Sequence, residues 1–196
     1  MFAQFIQTWL TGYYRPSLMI ERLKDKPAPQ WGFYGAAGRA LLDSIFLYVP
    51  LSLLGRVPST PSWLTFIPTS LYYRAEIIMA PIILLVQWLF LCSVMHLILS
   101  FSGRKSDINQ IMNITGMVAL VVGTILLIWD WIYIVVGLKS ANLLGISHLI
   151  IDIWVIVISV KGFKKILDVP VWLGILLMLL WILLGMPFAV FIRGPV

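Results

Sequence analysis

The chain has 196 residues, of which 61% are hydrophobic and 11% charged, with 14 basic and 8 acidic side chains and a net charge of +6. Its mean hydropathy of +0.98 excludes a water-soluble domain, which carries about a quarter charged residues and about half apolar ones. A nucleic-acid binder is excluded as well: the basic residues flank apolar runs and form no basic face outside a membrane, so they report orientation and contact with anionic lipid.

Residues 2–10 set Phe2, Phe5, Ile6, Trp9 and Leu10 at helical spacing, with Gln4, Gln7 and Thr8 opposite. This predicts a short amphipathic helix lying in the membrane interface. The stretch has no basic leader region or small-residue cleavage site, so no cleaved signal peptide is expected. Pro16 suits the first turn of a second short helix, followed by the linker KDKPAPQ. Residues 1–30 therefore read as a cytoplasmic, interfacial segment, and 31–196 as a five-span transmembrane domain.

The spans are predicted at about 33–54, 76–101, 109–137, 142–161 and 170–192, each near the roughly 20 residues that cross a bilayer. On the first, Gly32, Ala36, Ala40 and Ser44 recur every four residues, a small row that admits another helix closely. Arg39 and Asp43, also four apart, can pair within that helix. The proline-broken stretch 56–74 is expected at the far interface. The short connection between third and fourth spans makes them an antiparallel hairpin, and GFKKILD reads as the linker to the fifth. The fold class is thus an all-α polytopic bundle of five transmembrane helices with a short amphipathic N-terminal segment.

With the N-terminus inside, the inner segments hold Arg15, Arg22, Lys24, Lys26, Arg39, Arg104, Lys105, Lys161, Lys164 and Lys165, and the outer ones only Arg56, Arg74, Lys139 and Arg193. The positive-inside rule then predicts a cytoplasmic N-terminus and an external C-terminus.

An ionisable side chain inside a span costs about 2.5–3.5 kcal/mol on insertion scales and normally faces protein or water. On the third span Gly116, Gly123, Asp130 and Gly137 sit seven apart and share a face. On the fourth, Gly145, His148, Asp152 and Ser159 form one stripe. Folding the hairpin puts Asp130 at a depth between His148 and Asp152. This intramembrane cluster reads either as a structural polar clasp or as a proton- or ion-handling site. Cys92 and His96 supply at most half of a metal site, so no metal or cofactor is expected. The lone cysteine also excludes a disulfide framework. Phosphate-loop, nucleophile-elbow and zinc-protease motifs are absent from the sequence, and no enzyme activity is expected.

The stretches RPSLMIERLKDKP, MHLILSFSGRKSDINQIMNITGM and IWVIVISVKGFKKI, taken in that order, resemble the Yip family of Ypt/Rab-interacting membrane proteins in its compact prokaryotic-type form. The family's early third-span glycine-tyrosine pair and proline are replaced here by Gly116-Met117 and Val121. The resemblance implies five spans, a cytoplasmic N-terminus, a place in a prokaryotic cell membrane and non-enzymatic membrane organisation linked to trafficking or homeostasis. Small GTPases are partners only by family analogy, because the family's long cytosolic region has no counterpart. The expected function is a membrane scaffold that presents small residues (Ala36, Ala40, Gly116, Gly123, Gly137, Gly145) to a second copy or to other membrane proteins. The alternative is a transporter of a small solute, ions, protons or lipid that uses Asp130, His148 and Asp152.

Overall fold

Long apolar runs leave the backbone no polar partner but itself, so each closes its own hydrogen bonds as a helix. The computed structural model describes residues 2–58, 64–104, 106–138, 140–189 and 191, and among these it contains helices and no strands. Two short helices, α1 (Phe2–Tyr14) and α2 (Pro16–Lys24), precede five longer ones. The latter are α3 (Gln30–Leu53), α4 (Tyr72–Phe101), α5 (Ile108–Val136), α6 (Ala141–Leu167) and α7 (Val171–Ala189). All five are long and apolar enough to cross a membrane, and the protein is an integral, multi-pass membrane protein.

α5 is the central helix: 67% of its apolar window is buried, against 22% to 39% in the other four. Its ends are set by the sequence. Asp107 caps the start by accepting from the Asn109 and Gln110 amides. Gly137 closes the end in the left-handed region at φ 75°. Ser140 then caps α6 by accepting from the Leu143 amide, so α5 and α6 fold back on one another.

α3 and α5 meet backbone to backbone. Gly32 and Gly35 lie directly on Met112 and Gly116, and a methyl group at Gly35 would stand 2.6 Å from the Gly116 carbonyl carbon. Ala36 and Ala40 are buried on the same helix. Asn113 fastens the entry to α3: its carbonyl oxygen accepts from the Gly32 amide at 2.8 Å, and its amide donates to Lys26 and Ala28 carbonyls. Gln110 similarly donates to the Lys24 and Lys26 carbonyls.

At two of the prolines inside spans, Pro50 and Pro81, a neighbouring helix completes the bond that the proline leaves open. Pro50 has no N–H for the carbonyl of Phe46, which instead accepts from Trp131 Nε1 of α5 at 2.6 Å. Pro81 has none for Ile77, whose carbonyl accepts from Ser44 Oγ of α3 at 2.5 Å. Just before Pro50 the first span widens into one π turn, Ser44–Tyr48, with the Val49 amide reaching back to Ser44.

The structure corrects several sequence expectations. α4 begins earlier than residue 76. α6 continues through the expected linker to Leu167, because Gly162, Phe163 and Leu167 turn inward while Lys164 and Lys165 face out. Residues 59–63, Lys105, Lys139, Val190 and 192–196 lie outside the described residues.

Thr8, expected on the polar face of α1, is buried beside Phe5, Thr11 and Gly12, whereas Phe2 and Leu10 are exposed. Both apolar and polar residues of α1 therefore turn toward protein. Gly12 packs on Val121 of α5 and Met19 of α2, and Phe5 meets Trp31 edge to face at 5.8 Å. Met19, Ile20 and Leu23 of α2 are fully buried within the same cluster as the spans. Glu21 of α2 pairs with Lys165 of α6. The N-terminal helices thus form a plug against the bundle.

Candidate functional site: an ionic cluster on an intramembrane cavity

Arg39 and Asp43 lie one turn apart on α3 and form an ion pair. Gly123 of α5 makes the pair possible, since a Cβ there would collide with the Arg39 side chain. From α5, Asp130 reaches His148 Nε2 of α6 at 2.8 Å and is itself buried. The antiparallel α5–α6 hairpin brings these two residues together, and Trp129 Nε1 donating to Ser147 Oγ at 2.7 Å holds the register beside them.

Asp152, one turn beyond His148, is different. Among the described residues it makes no hydrogen bond or ion pair, although it lies within electrostatic range of His148 and Arg39. The three residues of the expected cluster therefore divide into a bonded pair, Asp130 with His148, and a separate carboxylate.

Asp152 and Arg39 both line a cavity of about 440 Å³ to which α3, α4, α5, α6 and α7 all contribute. Such a volume falls within the range of about 300–1,000 Å³ that accommodates small ligands. The walls are mainly apolar, with Leu84, Ala119, Leu126, Val155, Met178 and Ile182 among them, and two indoles, Trp88 and Trp181, face in. The polar lining comprises Arg39, Asp152, Gln87, Thr115 and Ser159. Thr115 is already engaged: it donates to the Ile111 carbonyl and accepts from Trp88 Nε1 at 3.0 Å. Ser159 is not. It is 1% exposed, and its hydroxyl has no hydrogen-bond partner among the described residues.

Gly116 and Gly123 pack against α3 as small residues, whereas Gly137 and Gly145 pack against no helix among the described residues of the chain. A Cβ at either position would meet nothing within 4 Å; Gly137 ends α5, and Gly145 lies exposed near the start of α6. The heptad spacing holds, but the helix or its neighbour ends before those positions. Cys92 contacts Thr115, and His96 contacts Ser106 at 2.7 Å, so the two turn to different neighbours. Sequence reasoning missed Gln87, Trp88 and Trp181 as wall residues. Only the shared depth of the tryptophan- and glutamine-bearing turns could have hinted at them.

Compared with family models, curated proteins and solved structures, the chain matches none.

Proposed function

We propose that this membrane protein is a non-enzymatic binding protein or transporter for a small amphiphilic molecule, held in the cavity among the five spans. One observation carries the reading: a ligand-sized, largely apolar cavity has a carboxylate and a hydroxyl, Asp152 and Ser159, in its wall with no hydrogen-bond partner among the described residues. Isolated polar groups in an apolar cavity orient a ligand whose body is greasy and whose one end is polar. In a purely structural clasp such groups would satisfy one another, as Arg39 does with Asp43 and Asp130 with His148.

The scaffold reading draws less support. Gly32, Gly35 and Gly116 are consumed in the α3–α5 contact and are not presented to a partner. A cytoplasmic N-terminus and an external C-terminus remain our proposed orientation, on the basic-residue count.

Photo-crosslinking tests the reading. The purified protein in nanodiscs is labelled with a photoactivatable single-chain amphiphile, and the modified residues are mapped by mass spectrometry. Labelling should reach Trp181 or Met178 on the inner wall, and Ala119→Trp, which fills the cavity, should suppress it. Labels confined to outward-facing residues such as Leu176 and Leu183 would refute the proposal.

A further inference from the structure

We infer that the ligand of this cavity is an organic cation, its positive charge taken by the carboxylate of Asp152 and its apolar body by the tryptophan-lined wall. The inference rests on the binding reading above and adds the ligand's charge. Arg39 taken alone would favour an anion, but its guanidinium is already committed to Asp43 on the same helix. His148 is committed to Asp130. Among the described residues of this cluster Asp152 alone lacks such a partner, and it lines the cavity.

The charge balance of the linked ionic groups points the same way. Asp152 lies within electrostatic range of Arg39 of α3 and His148 of α6, which pair in turn with Asp43 of α3 and Asp130 of α5. With His148 protonated, two positive groups (Arg39, His148) oppose three carboxylates (Asp43, Asp130, Asp152); with it neutral, one opposes three. A bound cation neutralises the excess, whereas a bound anion would enlarge it in a medium of low dielectric.

The remaining walls suit the same guest. Trp88 and Trp181 present indoles, the best aromatic partners of a cation. Methionines Met178 and Met186 add polarizable, adaptable surface. Two turns along α6 from Asp152, the buried hydroxyl of Ser159, without a partner among the described residues, points to a second, polar end or to a hydroxyl on the ligand.

Tetraphenylphosphonium and tetraphenylborate test this inference, being alike in shape and opposite in charge. Binding to the purified full chain in detergent is followed by quenching of tryptophan fluorescence and by calorimetry. The phosphonium ion should bind saturably and at least tenfold more tightly than the borate. Asp152→Asn should weaken phosphonium binding at least tenfold, while Asp152→Glu, which keeps the charge, should restore most of it.

If Asp152→Asn fails to fold, the wild-type preference between the two ions and the Asp152→Glu variant still decide the matter. Equal or stronger borate binding, or no saturable phosphonium binding up to about 1 mM, overturns the inference. Binding of the phosphonium ion by Asp152→Asn as tightly as by the wild type overturns it too. In each of these outcomes, photolabelling of the inner wall leaves the cavity standing as a binding site for an amphiphile whose charge Asp152 does not select. Its absence removes both readings together.

Discussion

Replacing Gly116 by alanine is the sharpest test of how this bundle is held together. The added methyl carbon would lie 2.6 Å from the carbonyl carbon and 2.7 Å from the Cα of Gly32. Ordinary carbon–carbon contacts are about 3.5–4.0 Å, so α3 and α5 must part by about 1 Å. Both sides of the contact are backbone, so no side chain can swing away. Overpacking of this kind costs about 1–3 kcal/mol. Separation also weakens the bond from the Gly32 amide to Asn113 Oδ1, now 2.8 Å, by up to about 1 kcal/mol. The total expected loss is about 1–4 kcal/mol. Gly145→Ala is the matched control: its methyl meets nothing within 4 Å, and alanine favours the helix by about 0.5–1 kcal/mol. Both variants are unfolded reversibly with SDS in mixed micelles and followed by circular dichroism. Equal stability of the two within about 0.5 kcal/mol would refute the backbone-contact argument.

Ser44→Ala should destabilise by about 1–2 kcal/mol by leaving the Ile77 carbonyl without its donor. In a Pro81→Ala background residue 81 regains an N–H for that carbonyl, so the same substitution should cost clearly less; an unchanged cost in the double-mutant cycle would disprove the proline-capping role. Glu21 is exposed, and the hydrogen bond and charge of Lys165 hold its carboxyl below the usual carboxylate range. Its small stabilising effect is therefore present above the unfolded pKa and lost as pH falls through the lowered folded value. Glu21→Gln should shift the thermal midpoint slightly at neutral pH and not at all in strong acid or high salt, and a shift that grows in acid would reverse the assignment. Reporter fusions should place the N-terminus inside and the C-terminus outside; both ends on one side would mean an even number of spans.

Much of the architecture was legible because the bilayer imposes a length. Five apolar runs had to be five helices, and the connection at residues 137–140 had to be a hairpin. Arg39 with Asp43, and Asp130 near His148, follow from helical spacing and matched depth. The C-terminal end of α6 was not legible: the two lysines of GFKKILD look like a loop until Phe163 and Leu167 are seen to be buried. Thr8 shows a deeper reason. A membrane-bound helix can turn an apolar face to lipid and a mixed face to protein, so amphipathicity alone does not say which side is inside. The cavity was hidden for the same reason, because leucines and tryptophans lining a cavity between helices read like those facing lipid. Pro50 and Pro81 fall inside the predicted spans, but their rescuers, Trp131 and Ser44, come from other helices and no local pattern names them.

The buried N-terminal plug has a consequence for how the molecule is made. Glu21 and Lys165 lie 144 residues apart in the chain, and Gly12 docks on Val121. A ribosome adding about 5–20 residues per second needs on the order of 10 s to cover the first interval. Throughout that time Met19, Ile20 and Leu23 have no α6 to cover them and must be sheltered by the bilayer surface or by an insertion factor. A nascent chain halted after α4 would leave an exposed adhesive hairpin at the membrane. Helices α1 and α2 are made well before α5 and α6, the helices that seal them into place.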